Sequence, residues 1–184
     1  MMEELVLPTC ETGLQELVKS KYDYDADSED NIIRRVFTVS SRKDERVVAL
    51  CLLYALDSAE YEIPIEDIMA NISCWFDISF QENSYGTLIV YGVFDNKDAI
   101  SCLIIPLLKS WKLERVSCLT RLILYIAVWE LQHKEAIYSI VINEAVELAK
   151  LFAEDDAYKF VNGILDEFCK QYGKKDECGK EKIS

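Results

Sequence analysis

The sequence predicts an all-α fold, a single-domain bundle of about seven helices. Apolar residues recur at spacings of three and four through most of the chain, which is the period of one buried helix face. Strand-like alternation is nearly absent, and the 184 residues include only three prolines and six glycines. A chain of this size can bury a core of its own without disulfides or a metal ion.

The predicted helices follow one another with short connections. The first begins at Ser41, where either Ser41 or Asp44 can cap it, and its apolar pattern ends near Asp57. Pro106 is expected to kink or end its helix, because proline has no amide hydrogen and its ring clashes with the preceding turn. Segment 87–94 is also compatible with a short strand. A near-continuous apolar run marks 113–132 as the central core helix. The predicted helices cover residues 41–57, 63–76, 85–94, 97–111, 113–132, 140–152 and 156–171.

Composition divides the chain into three parts. Residues 1–40 form an acidic N-terminal extension with one short helix predicted over 11–21, and we expect it to be partly disordered. Residues 41–172 form the helical domain. Residues 173–184 mix charged residues with glycine and are predicted to be a flexible tail.

The charge of the whole chain limits how it can bind nucleic acid. With a net charge of −13, the chain does not resemble a general nucleic-acid binder, because nonspecific affinity depends on Lys and Arg. Any RNA contact must come from a local basic patch. The acidic N-terminal residues and the lack of an apolar run near 18 residues predict a soluble, cytoplasmic protein without a membrane span.

The residues needed for a metal site or for catalysis are sparse. Seven cysteines are scattered without a Cys-x-x-Cys pair, so we expect free thiols in a reducing compartment and no zinc, with a disulfide scaffold as the weaker alternative. His133 is the only histidine, and we expect it to be exposed to solvent. No glycine-rich nucleotide loop or metal-ligand cluster is present. The sequence therefore predicts neither catalysis nor a cofactor.

Two ungapped blocks in the last third carry a resemblance to a known family. The chain reads INEAVELAK at 142–150 and KFVNGIL at 159–165, with a short acidic turn between them. Upstream, WKLERVS at 111–117 and WEL at 129–131 have matching spacing. Together these blocks closely resemble the signature of the NusB family, over about residues 42–172. The resemblance implies a NusB-like helical bundle.

The same blocks also have a structural explanation. Asn143 and Glu144 are expected at a helix start, where their side chains can satisfy free amide groups. Gly163 falls inside a predicted helix, where glycine is unfavourable, so we expect a close helix crossing at that position.

The resemblance implies a function in bacterial transcription antitermination. Family members bind a boxA-type single-stranded RNA of rRNA operons, usually together with the small-subunit ribosomal protein NusE, within the transcription elongation complex. Both monomers and homodimers occur. The RNA contacts come from the basic start of the first core helix, the acidic turn and the following Lys-Phe pair. The matching residues here are Arg42, Lys43, Arg46, Asp156, Lys159 and Phe160.

These residues also have alternative, purely structural interpretations. The three basic residues can form a solvated helix face paired with Asp44 and Glu45, which place carboxylates in the patch. Asp156 can be an N-cap and Phe160 can be a core residue.

Other positions depart from the family pattern and bear on partner affinity. Thr120 stands where the family commonly has an acidic residue linked to partner contact. Tyr125 replaces a usual arginine, and Ile137 replaces a usual proline. The acidic extension could also lie on the basic patch and compete with RNA, although a solvated extension fits its composition better.

Two alternative functions stay open at this stage. One is a divergent NusB-like protein-interaction module without significant RNA binding, which suits the acidic charge. The other is the NusB-like domain of an rRNA cytosine methyltransferase, which the lack of a following Rossmann-like region disfavours.

Overall fold

The computed structural model describes residues 41–76, 80–81, 83–109, 111–133 and 137–172. Within these ranges the chain forms six α-helices and two short 3₁₀ segments, and no strand occurs there. This confirms the predicted all-α fold. The predictions for the extension 1–40 and the tail 173–184 lie outside the described residues. The α-helices are α1 (Arg42–Ser58), α2 (Ile65–Phe76), α3 (Tyr85–Ile104), α4 (Cys118–Gln132), α5 (Tyr138–Phe152) and α6 (Ala157–Tyr172).

Helix α1 begins and ends where the sequence predicts. The hydroxyl of Ser41 accepts a hydrogen bond from the amide of Asp44 at 3.2 Å, so Ser41 and not Asp44 is the N-cap. Val47 to Leu53 are all buried. Beyond the helix, Glu60 and Tyr61 adopt positive φ angles of 52° and 60°, which turn the chain towards α2. Helix α2 then starts directly after Pro64.

The two helices predicted over 85–94 and 97–111 are a single helix, α3, that runs from Tyr85 to Ile104. The predicted break at Asn96 is wrong because its side-chain amide donates to the carbonyl of Gly92 at 2.8 Å, so Asn96 stays within the helix. The helix does end at Pro106, where the chain tightens into a 3₁₀ segment over Ile105–Leu108. Segment 87–94 is helical and not a strand.

Helix α4 is the central helix of the bundle. It packs against α1, α3, α5 and α6, and residues 122–128 are all buried. The prediction of a core helix surrounded on most sides is confirmed. Its start is later than predicted, because Leu113–Arg115 forms a separate 3₁₀ segment and Ser117 has an extended ψ of 154° before α4 begins. None of the helices in the described part of the chain has the length and apolar character that a membrane crossing requires.

Two local predictions for the last two helices are wrong. Helix α5 begins at Tyr138, so Asn143 and Glu144 lie in its second turn and not at its start. Gly163 in α6 is exposed, and a Cβ added there would meet nothing within 4 Å. The close approach that sequence reasoning assigned to Gly163 occurs at Gly92, where a Cβ would overlap the indole of Trp129.

Candidate nucleic-acid interface

The N-terminal end of α1 presents two basic side chains to solvent. Arg42 and Lys43 are both exposed, and the guanidinium carbon of Arg42 lies 5.0 Å from the centroid of the Tyr85 ring. Such a cation–π contact orients the guanidinium without removing it from solvent. Arg42 and Lys43 are therefore available for phosphate contacts.

The carboxylates beside this basic end are engaged within the protein. The side chain of Asp44 accepts a hydrogen bond from the Ser41 hydroxyl at 2.8 Å. Glu45 accepts one from the amide of Gly86, in the first turn of α3. A Cβ on Gly86 would lie 2.8 Å from the carbonyl oxygen of Glu45, so this close approach of α1 and α3 requires glycine. Asp44 and Glu45 thus have structural roles beside the basic residues.

Arg46 does not lie on this surface. It is 5% exposed, and its Nε and Nη2 donate to the carboxylate of Glu130 on α4 at 3.0 and 2.8 Å. Tyr85 donates its hydroxyl to the same carboxylate, and Glu144 lies 3.7 Å from Arg46 Nη1. The structure therefore does not bring Arg46 to the exposed basic surface with Arg42 and Lys43, because its guanidinium is enclosed by these partners.

The pKa values around Glu130 reflect this buried network. Burial lowers the pKa of Arg46, but the hydrogen bond and the charge of Glu130 raise it by more, so the net shift is upward. Burial, followed by the hydrogen bond to Glu130, raises the pKa of Tyr85 to about 12. The guanidinium of Arg46 therefore stays charged and the phenol of Tyr85 stays neutral at physiological pH.

A second group of predicted site residues lies at the start of α6. Asp156 has a φ of 68°, and its carboxylate accepts from Lys159 Nζ at 2.7 Å. Both side chains are exposed. Phe160 is half-buried and lines a hollow of about 500 Å³ together with Trp111, which is 62% exposed. Part of the Phe160 side chain therefore packs on the core, and the remainder faces this open hollow.

The two groups lie towards opposite ends of α4. Glu130, which binds Arg46, is near the last turn of α4, whereas Thr120, which donates to Glu154 beside the second group at 3.1 Å, is in its first turn. Ten residues of α-helix separate Thr120 from Glu130, a rise of about 15 Å. The structure does not bring all the predicted RNA-binding residues into one cluster. A ligand that contacts both groups must be extended.

Two residues that the sequence analysis does not single out, Lys150 and Tyr158, lie beside Lys159 of the second group. Lys150 on α5 and Lys159 on α6 each place Nζ 5.6 Å from the centroid of the Tyr158 ring. Lys150 also forms an ion pair with Glu147 at 2.7 Å. Both residues adjoin the matching blocks in the sequence, since Lys150 ends the first block and Tyr158 precedes the second. Only the fold shows that the Lys150 ammonium lies near the Tyr158 ring.

The three departures from the family pattern are accommodated locally. Thr120 is buried and donates to Glu154. The hydroxyls of Tyr125 and Ser101 are 2.7 Å apart. Ile137 is 60% exposed and directly precedes α5. These residues leave the helices continuous, so the departures do not disturb the bundle.

His133 packs on the end of α4, and four cysteines are free among the residues that the structure describes. The Nδ1 atom of His133 is 2.7 Å from the carbonyl oxygen of Trp129. The centroids of the His133 and Trp129 rings are 4.0 Å apart. Cys51 and Cys169 are buried, whereas Cys102 is exposed, so its place in an apolar run does not put it in the core. Among the residues that the structure describes, no cluster of three or more potential metal ligands occurs.

Comparison with known proteins identifies the family. The NusB family model matches residues 43–170. The transcription antitermination protein NusB of Macrococcus caseolyticus is 35% identical over 130 residues, which cover 71% of this chain and 97% of that protein. The NusB protein of Staphylococcus epidermidis is 38% identical over 125 residues, which cover 68% of this chain and 95% of that protein.

Solved structures agree with this assignment. A structure of T. maritima NusB superposes with a TM-score of 0.65 at 28% identity and covers 75% of this chain and 96% of its own. A chain from a structure described as a plectonemic RNA supercoil superposes with a TM-score of 0.63 at 26% identity. It covers 71% of this chain and 95% of its own length. The family model, the relatives and the shared bundle lead to one conclusion: this chain belongs to the NusB family.

Proposed function

We propose that this protein is a bacterial, cytoplasmic transcription antitermination factor that binds boxA-like single-stranded RNA of rRNA operons. We further propose that it binds together with the small-subunit ribosomal protein NusE in the transcription elongation complex, without catalysing a reaction. The names of its relatives support the role in antitermination. The family is one of transcription and RNA-binding factors, which supports a non-enzymatic role.

The exposed basic end of α1 is the observation that carries RNA binding. Arg42 and Lys43 face solvent, while the neighbouring carboxylates of Asp44 and Glu45 are bonded within the protein. These hydrogen bonds hold the two carboxylates against Ser41 and α3, so the exposed ends of Arg42 and Lys43 can contact phosphate although the chain as a whole carries −13. At the other end of α4, Phe160 offers a ring on which an unpaired base can stack.

Lys159 and Asp156 extend this second group. The Lys159 ammonium can contact phosphate, and the Asp156 carboxylate can accept a hydrogen bond from a base amino group. Their mutual ion pair is exposed at 62% and 70%. Exposed pairs of this kind are weak, so RNA can replace the contact without a large cost.

One experiment tests this function directly. A boxA-containing single-stranded RNA is titrated with the full chain, with and without the NusE-type partner, across a series of salt concentrations. We expect partner-enhanced binding that weakens with salt and on Arg42→Ala or Phe160→Ala. Lys170→Gln is the matched control, since it removes one exposed positive charge from α6 about three turns beyond Lys159. Binding equal to that of an unrelated RNA in every condition contradicts the proposal.

A second function is favoured by the acidic rim of the hollow beside Phe160. Glu154, Asp155 and Asp156 surround an apolar site that includes the exposed Trp111, which suits a basic protein surface better than a phosphate backbone. In this alternative the chain is a protein-interaction module without significant RNA binding. The same titration distinguishes the two, because association with the partner would then persist while RNA fails to bind.

A further inference from the structure

Two lysines lie beside one tyrosine ring at the start of α6, next to the second group of predicted RNA-binding residues. Lys150 and Lys159 come from different helices, yet both ammonium groups lie 5.6 Å from the centroid of the Tyr158 ring. Their side chains are 47% and 62% exposed. Tyr158 is half-buried and packs against the core, so the position of its ring is fixed by the fold. This arrangement places two exposed cations beside an aromatic ring whose position is set by packing.

Lys43 on α1 is connected to this group through Glu147. Lys150 binds Glu147 at 2.7 Å. The pKa of Glu147 is lowered mainly by its hydrogen bond to Lys150, and the charge of Lys43 also lowers it. The ammonium of Lys43 therefore acts on the same carboxylate as that of Lys150. Helix α5 supplies the geometric link, because Glu144 lies 3.7 Å from Arg46 Nη1 of α1 and Lys150 follows six residues later, a rise of about 9 Å towards α6.

We propose that Lys150 and Tyr158 form the middle of a continuous single-stranded RNA path that joins the basic end of α1 to Phe160. This inference rests on the proposed RNA-binding function and assigns it two further contact residues. Lys150 and Lys159 bind phosphates on either side of one nucleotide, and the base of that nucleotide stacks on Tyr158. Aromatic stacking with flanking cations accepts any base, so this part of the path contributes affinity and not sequence specificity.

The acidic residues along the path are consistent with this assignment. Glu147 and Asp156 each pair with one of the flanking lysines at the protein surface, where ion pairs are weak. They hold the two lysines beside Tyr158 before RNA arrives and can release them to phosphate. Glu147→Gln should therefore strengthen RNA binding, by about two- to five-fold, because it frees Lys150 and removes a negative charge from the path.

Substitutions at Tyr158 and Lys150 test the path on the full chain with its partner and a boxA-containing RNA. Tyr158→Leu should weaken binding by about 5- to 150-fold, whereas Tyr158→Phe should keep near wild-type affinity because the ring remains. Lys150→Gln should reduce the slope of log K against log salt by about 0.7, the value for one phosphate contact on a single strand. Photo-cross-linking of a thiouridine-substituted RNA should label the peptide that contains Tyr158.

The outcomes separate this inference from the proposed function. If Arg42→Ala weakens RNA binding but Tyr158→Leu and Lys150→Gln do not, the path is wrong and the function stands. If the wild-type chain fails to bind RNA even with its partner, the function fails and the path with it. Thermal unfolding of Tyr158→Leu serves as the control for folding. A loss of affinity that Tyr158→Phe shares equally overturns the stacking role.

Discussion

The buried ion pair between Arg46 and Glu130 makes a strong prediction about stability. Both side chains are almost fully enclosed, at 6% and 3% exposure, and three donor–acceptor pairs at 2.8–3.0 Å join them. Glu130→Leu would leave the guanidinium buried with Glu144, at 3.7 Å, as its remaining ion-pair partner. Removing one member of a buried pair costs about 3–5 kcal/mol, and we expect the lower end of that range because Glu144 stays in place.

The double variant separates the charge effect from packing. Arg46→Met combined with Glu130→Leu removes both charges and fills the space with apolar side chains, so its free energy of unfolding should lie within about 1 kcal/mol of the wild type. Each single variant should be much less stable than the double variant. The coupling free energy from this double-mutant cycle should therefore be about 3 kcal/mol or more.

Urea unfolding followed by circular dichroism at 222 nm measures these differences, provided that the m value stays constant. Lys170→Ala is the matched surface control, because Lys170 is 66% exposed and 3.9 Å from Glu167, and it should cost less than about 1 kcal/mol. A Glu130→Leu variant that loses less than about 1 kcal/mol would refute the reasoning. So would a double variant whose loss equals the sum of the two single losses.

Three further predictions concern glycines, thiols and alkaline pH. Gly92→Ala should destabilise the fold by about 1–3 kcal/mol because its methyl group would overlap the indole on α4, whereas Gly163→Ala, facing open space within a helix, should stabilise it by up to about 1 kcal/mol. Thermal melts compare the two variants, and a change of Tm in the same direction for both would contradict the packing argument. Burial, followed by the hydrogen bond to a neighbouring carboxylate, raises the pKa of Cys118 to about 12, so at pH 8 iodoacetamide should modify the exposed Cys102 before Cys118. Peptide mass spectrometry checks the order, and faster labelling of Cys118 would count against it. Because the pKa of Tyr85 is raised from 10 to about 12, its contribution to stability is complete below pH 10 and is lost as pH rises from 10 to 12. Tyr85→Phe should flatten the fall in unfolding free energy over that interval, and an unchanged pH profile would argue against it.

The helices were largely predictable from the sequence because one face of each is buried. The apolar period places α1, α2, α4, α5 and α6 to within a few residues. The failure at Asn96 has a simple cause, since asparagine is common in turns but here bonds back to the carbonyl four residues earlier. Local sequence cannot distinguish these two uses of the side chain, because the choice depends on whether the flanking residues pack.

The candidate site was less predictable because exposure depends on tertiary contacts. Arg42, Lys43 and Arg46 are equivalent in a count of basic residues, yet only Arg46 meets a carboxylate 84 residues away and is buried. Gly163 shows the opposite case. The sequence predicts a close helix crossing there, but this position of α6 faces solvent. The group around Tyr158 is assembled across the turn between α5 and α6, and helical periodicity carries no information about such contacts.

The bond between Glu45 and Gly86 has a consequence for the ligand contacts that we propose for the first turn of α1. The first turn of an isolated helix frays, so side chains on it would have to be ordered when a ligand binds. Here the amide of Gly86 and the close backbone approach tie that turn to the start of α3. The backbone conformational entropy of this turn is therefore lost during folding and not during association. A surface ordered in advance binds more tightly for the same contacts, and dissociation is the step that this rigidity slows.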